Sequence, residues 1–319
     1  MPAQKQVWIM TKYLKLARIT SWPPYSLAFV IPFAVGAYAG TSWASALIGF
    51  SALFLFAGFA FALNFYSDRD TDKYHDGVQK DFNLSQQPML TGEVTERECK
   101  AFCLVALLVA IALGFLVSSL FALLVILACL AGGILYSHPK IRLKAKPVGD
   151  ILCISALGVL VPSAGYLLGV GVLPPPLMML LWFLVTATGY TASVMSDYEF
   201  DLKAGLRTSA VFFGQGRLLK VMVVGCILSL VVAFFIFFMF SEYYLLGTRL
   251  FAVLTAAGLI ALTAVVWRAL RPPRMHLPVF SSRGHWVFIA PGAASLAFIC
   301  YAAFHILGLN ILPWDPFMV

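Results

Sequence analysis

The chain has 319 residues, of which 61% are hydrophobic and 11% charged, with a mean hydropathy of +0.90 and a formal net charge of +8. Soluble domains carry about 25% charged residues, so this much apolar surface needs lipid as its solvent and excludes an ordinary water-soluble core. No soluble basic domain is left over to bind nucleic acid, and the scattered cysteines read as small apolar residues rather than as a metal site or disulfide framework.

Taken in chain order, apolar runs near 20 residues predict nine transmembrane helices. The first covers about 23–40, after a stretch carrying Lys5, Lys12, Lys15 and Arg18 that lacks the apolar core of a signal peptide. The second covers 43–66 and runs into "NFYSDRDTDKYHDG", residues 64–77. Spans three and four, 99–117 and 119–136, divide at Ser118 and Ser119, because together they are too long for one crossing. Spans five and six cover 148–170 and 176–196, and "SDYEFDLKAG", residues 196–205, follows them. The last three are expected at 217–240, 249–268 and 286–308. The expected architecture is an all-α integral membrane protein, a bundle of nine transmembrane helices around one central cavity. Residues 1–319 form one domain, with motif-bearing loops at about 67–98, 137–147 and 197–216.

Charge tests the count. With nine spans, all of the 22 Lys and Arg residues except Arg249 fall on one side of the membrane. The acids follow them, except Glu242 and Asp315. A miscounted span would scramble this separation. The excess of basic residues puts that side, and the N-terminus, in the cytoplasm and the C-terminus outside. Part of the charge simply sets topology and touches anionic lipid.

Two acidic clusters stand on the charged side. Asn64, Asp68 and Asp72 are spaced i, i+4, i+8, one face of an α-helix. Like charges at that spacing destabilise a helix, so the arrangement calls for a compensating cation. Hard oxygen ligands on one stripe suit Mg2+. Asp197 and Asp201 repeat the i, i+4 spacing, whereas Asp70, Asp76 and Glu199 fall off these faces and are expected in solvent. Facing each other across a bundle, the two stripes can hold two or more Mg2+ around a shared anion. A single cluster of this kind is more often a solvated helix end; two on one side of an apolar bundle point to function.

The motifs resemble the UbiA superfamily of intramembrane prenyltransferases, and look closest to its archaeal members. The resemblance rests on "LARITSW" before the first span, "NFYSDRDTD", "PMLTG" at 88–92, "YSHPKIRLKAKPVGD" at 136–150 and "DYEFDLKAGLRTSAVFFG". The chain departs from the family pattern at Phe65, in a longer 72–88 segment, and at Gln87, where an Arg is usual. The resemblance implies Mg2+-dependent transfer of a polyprenyl group from a prenyl diphosphate, such as geranyl or geranylgeranyl diphosphate, to a small aromatic or lipid acceptor. An allylic carbocation would form and diphosphate would leave. The implied metal ligands are Asn64, Asp68, Asp72, Asp197 and Asp201. The four aspartates are implied to act in catalysis with Arg142 and Lys144. Further substrate contacts are expected at Lys80, Tyr136, Ser137, Lys140, Tyr198 and Lys203, with Arg18 facing an acidic acceptor. The active site is expected to open toward the cytoplasm from the cell membrane.

Two other readings compete. A CDP-alcohol phosphotransferase needs an Asp-Gly-x-x-Ala-Arg motif, and "DGVQKD" at 76–81 lacks the Ala-Arg and the rest. A cation transporter places its acids near the midplane on a path through both leaflets. Here the acids gather at one face.

Overall fold

The computed structural model describes residues 11–19, 28–30, 32–33, 41–75 and 87–239, and these contain helices, turns and loops with no strand. The elements are α1 (Trp43–Asp68), α2 (Glu96–Val117), α3 (Ser119–Ala128), α4 (Gly149–Val170), α5 (Pro176–Ser196), α6 (Tyr198–Lys203), α7 (Ser209–Phe213) and α8 (Gln215–Met239). A π-helical segment, Cys129–Leu135, continues α3, and single 3-10 turns occupy Asp72–His75 and Leu143–Ala145. Five helices, α1, α2, α4, α5 and α8, are long and apolar enough to cross a membrane, and Ser119–Leu135 is a shorter apolar segment. These six segments coincide with predicted spans two to seven. Spans one, eight and nine lie wholly or mostly outside the described residues.

Local chemistry places the boundaries. Thr95 and Glu98 form a reciprocal capping box at the start of α2: the Thr95 hydroxyl accepts from Glu98 N at 3.3 Å, and Glu98 Oε2 accepts from Thr95 N at 2.8 Å. Ser118 is extended, which ends α2, and its Oγ accepts from Phe121 N at 3.1 Å to start α3. That single residue resolves the long apolar run into two helices.

Packing follows from small residues as much as large ones. One core forms where α1, α2, α3 and α4 meet, around Phe56, Phe59, Ala106, Phe121 and Val125. A second joins α5 to α8 through Ala192, Met195, Leu218, Met222 and Cys226. Gly158 on α4 and Gly225 on α8 both approach α5 so closely that a Cβ would overlap Thr186 and Thr188, respectively. In lipid, where apolar burial between helices gains little, such close backbone approach supplies the dispersion contacts that hold helices together. Outward-facing Leu104, Leu108, Phe115 and Leu116 on α2, and Val224, Ile227 and Phe234 on α8, remain exposed, as a lipid-facing surface requires.

Polar contacts gather at one end of the bundle. Arg69 Nη1 donates to Glu96 at 2.9 Å, joining the end of α1 to the start of α2. Asn64 Nδ2 donates to Ser137 Oγ at 3.4 Å, beyond the end of the α3 segment. Gln215 Nε2 donates to Met195 O at 3.0 Å, joining the start of α8 to the end of α5. Helices α1, α3 and α5 therefore end, and α2 and α8 begin, at the same end, as alternating crossings demand.

Candidate active site

At that end the two acidic motifs share one cavity of about 230 Å3. Its walls include Arg18, Asn64, Asp68 and Asp72 on one side, Asp197, Asp201 and Thr208 on another, with Tyr136, Lys144 and Tyr190. The continuous helical face expected for Asn64, Asp68 and Asp72 is not what forms. Helix α1 stops at Asp68, Thr71 N donates to Asp68 O at 2.8 Å to close a turn, and Asp72 opens a separate 3-10 turn. Repulsion between stacked carboxylates is one reason for the helix to end there. The second motif also breaks. Asp197 sits between α5 and α6, while Asp201 N still donates to Asp197 O at 2.8 Å, so the pair keeps its helical spacing.

Asp68 is buried and meets two basic side chains. Arg142 Nη2 donates to its Oδ1 at 3.0 Å, and Lys144 Nζ contacts its Oδ2. Arg142 also reaches Thr71 Oγ1 at 3.1 Å. Its backbone is left-handed, at φ 44°, held by its own N–H donating to His138 O at 2.8 Å and by Ala145 N donating to its carbonyl at 3.0 Å. Non-glycine residues enter that region when the surroundings dictate it, and functional sites are where this recurs. Arg142 Nε is buried with no hydrogen-bond partner, a donor left over in a cluster built for negative charge.

Asp72 is held by Gln87, a fully buried side chain. Gln87 Nε2 donates to Asp72 Oδ2 at 3.2 Å and to Phe65 O at 3.1 Å, while its Oε1 accepts from Met89 N at 2.9 Å. Asp201 accepts from Thr208 Oγ1 at 2.8 Å. Burial raises Asp72 to about 6, against the Gln87 hydrogen bond and the Arg18 and Arg142 charges. Burial also raises Asp201 to about 7; Thr208 and Lys144 oppose the shift, and Asp197 adds to it. Lys144 is pulled down to about 7 by the same desolvation. Buried carboxyls that resist ionising in the absence of a cation are suited to receiving one.

Among the described residues, no three His, Cys, Asp or Glu side chains converge tightly enough to hold a metal ion as they stand. The donor set nevertheless fits a hard divalent cation, since four carboxylates and the Asn64 amide line one cavity and all offer oxygen.

The other expected residues divide. Arg18 reaches the cavity, with its guanidinium 5.3 Å from the centre of the Phe65 ring and 5.5 Å from that of Phe61. Tyr136 lines it, and its hydroxyl lies 2.6 Å from that of Tyr190. Ser137 is buried behind Asn64 and orients it. Lys140 and Lys203 are exposed and stand away from the cavity lining, and Tyr198 packs on the α5–α8 core instead. Lys80 lies outside the described residues. Asp70 is solvent-exposed, as expected, though it stands in the turn after α1 and not on the helix. Tyr190, Thr208 and Thr71 went unrecognised in the sequence. A tyrosine in an apolar run and threonines outside the acid spacings carry no periodic signal.

Comparison with known proteins agrees with this geometry. Residues 22–282 match the UbiA prenyltransferase family. The chain is 31% identical over 202 residues to a 4-hydroxybenzoate octaprenyltransferase of Alkalilimnicola ehrlichii, a match covering 61% of this chain and 64% of that protein. It therefore spans less than two thirds of that relative's length. Structures of a UbiA homolog from Archaeoglobus fulgidus, bound to DMAPP and Mg2+ and to GPP and Mg2+, match with TM-scores of 0.81 and 0.80 and identities of 30% and 29%. Both comparisons cover 94% of this chain and 100% of that one. This chain belongs to the UbiA prenyltransferase family.

Proposed function

We propose that the protein transfers a polyprenyl group from a prenyl diphosphate to an aromatic acceptor within the membrane. The observation that carries this reading is the meeting of both acidic motifs with Arg18 and Lys144 on one cavity at the end of an apolar bundle. A diphosphate headgroup fits among carboxylates only if cations accompany it. The donor chemistry supports Mg2+ held by Asn64, Asp68, Asp72, Asp197 and Asp201. Held by these residues, Mg2+ would supply Lewis-acid stabilisation of the departing diphosphate.

The chain's own residues account for the rest. Lys144 and Arg142 supply positive charge where the diphosphate gains negative charge. The allylic C–O bond breaks heterolytically, and its electron pair leaves with the diphosphate. The allylic cation that remains must be kept from water. The Tyr136 and Tyr190 rings and the enclosing apolar helices supply that shield. A nucleophilic ring carbon of the acceptor then forms the new C–C bond and loses a proton. Names of relatives such as the 4-hydroxybenzoate octaprenyltransferase support an aromatic acceptor, and the presence of Arg18 on the cavity wall supports an acidic one. The charge distribution supports a cell-membrane location with the cavity opening to the cytoplasm, and the family match across 22–282 supports one domain.

The test is binding of geranyl diphosphate to purified protein with and without Mg2+. Binding should require the metal and be lost in Asp68→Ala and in Asp197→Ala. Wild-type binding in both variants overturns the site assignment.

A further inference from the structure

We infer that Asp150 is a positioning residue that sets the second acidic motif from behind the cavity wall, through Ser209 and Thr208. The inference rests on the prenyl-diphosphate reading of the cavity. Asp150 is fully buried in the first turn of α4 and does not line the cavity. Among the described residues it has no ion-pair partner within salt-bridge distance. A carboxylate in that position is costly unless several donors converge on it.

The donors are present and come from a distant part of the chain. Ser209 N donates to Asp150 Oδ2 at 2.8 Å, Ser209 Oγ donates to Oδ1 at 2.5 Å, and Ile151 N donates to Oδ1 at 2.8 Å. Ser209 is itself fully buried, and its Oγ also accepts from Val148 N at 2.7 Å. The start of α4 and the start of α7 are therefore clamped together by one carboxylate. The residue before Ser209 is Thr208, which lines the cavity and donates its hydroxyl to Asp201 Oδ2 at 2.8 Å. Thr208 thus has its backbone fixed from behind by Asp150 while its side chain fixes Asp201 in front. Without the clamp, the 206–209 turn loses the anchor that keeps the Thr208 hydroxyl on Asp201.

A buried anchor that helped only folding would affect stability and leave ligand affinity alone. An anchor that works through Thr208 changes how Asp201 meets its ligand. Groups one step behind a ligating carboxylate typically change metal affinity by about 10–100-fold when removed. Asp150→Asn presents an amide N–H2 to one of its donors, so at least one contact fails.

The experiment measures Mg2+-dependent binding of geranyl diphosphate to the purified full chain, alongside thermal unfolding. Asp150→Asn and Thr208→Val should each raise the Mg2+ concentration for half-saturation about tenfold or more. The double variant should be no worse than the weaker-binding single one, because both act along one path. Ser209→Ala, which keeps the backbone donor, should give a smaller shift in the same direction and serves where Asp150→Asn does not fold. Hydrogen exchange at the Ser209 amide should accelerate in Asp150→Asn. The inference is overturned if folded Asp150→Asn, or Ser209→Ala in its place, binds with wild-type Mg2+ dependence, or if the losses of the two variants simply add. A wild-type protein that binds no prenyl diphosphate with Mg2+ would remove the functional reading itself, and this inference with it.

Discussion

Gln87 has no exposure to solvent, yet both ends of its amide are used, and it joins the 87–89 turn to the end of α1 and to Asp72. The sequence marked it only as a departure from an expected arginine. A neutral amide holds Asp72 without neutralising it, which keeps the carboxylate available to a cation. Gln87→Leu preserves volume but takes the hydrogen-bond partner from the buried Phe65 carbonyl, from the Met89 N–H and from the Asp72 carboxyl. It should cost about 1–3 kcal/mol in chemical denaturation and weaken Mg2+-dependent binding. Asp201 offers a pH test with a fixed sign. Its folded pKa, about 7, lies above the ordinary 3.8, so the folded protein holds this proton more tightly than the unfolded one. The stability it contributes is complete below about pH 4 and is lost as pH rises through 7. Asp201→Asn has no such loss. Without divalent cation, the variant should therefore gain on wild type between pH 5 and pH 8, by roughly 1–3 kcal/mol. Melting curves at the two pH values check this, and a constant difference would refute it.

Helix ends decide where the chemistry sits. The residues that line the cavity include Arg18, the last turn of α1 and the 71–72 turn after it, Tyr136 just past the π-helical segment, Lys144, the end of α5, the short α6 and the 206–208 loop. The capping box at Thr95 and Glu98 starts α2 beside this cluster, and Glu98 also takes a 2.5 Å ion pair from Lys12, which ties the 11–16 helix to the same place. Thr95→Ala removes the side-chain cap and should lower stability by about 1 kcal/mol. Denaturation of the purified protein measures it, and substrate affinity should move little if the cap serves only the helix. Motif spacing alone was an incomplete guide at this scale. It placed Asn64, Asp68 and Asp72 on one uninterrupted α-helix, whereas a turn intervenes after Asp68 and a new 3-10 turn carries Asp72 to the same cavity.

Among the described residues, six apolar segments alternate so that the charged loops between them meet at one end. Topology is open to direct measurement. Lys146→Cys, at the cavity end, should react with a membrane-impermeant maleimide only after cells are permeabilised. Val172→Cys, exposed beyond the far end of α4, should react in intact cells. The reverse pattern would invert the proposed orientation. The sequence by itself determined the membrane setting, the six described apolar segments to within a few residues and the break at Ser118, and it marked both acidic motifs by their spacing. Composition and 3.6-residue periodicity are local properties, so a chain read in order carries them. Only the tertiary structure decided that Arg142 and Lys144 rest on Asp68, that Tyr190 faces Tyr136, and that Asp150 reaches Thr208 by way of Ser209. The partners that pair directly, Ser209 with Asp150 among them, are separated by 54 to 76 residues. Nothing in the spacing of one strip of sequence encodes which distant side chain will fill a buried hydrogen-bonding group; that is set when the helices pack and buried donors and acceptors compete for partners.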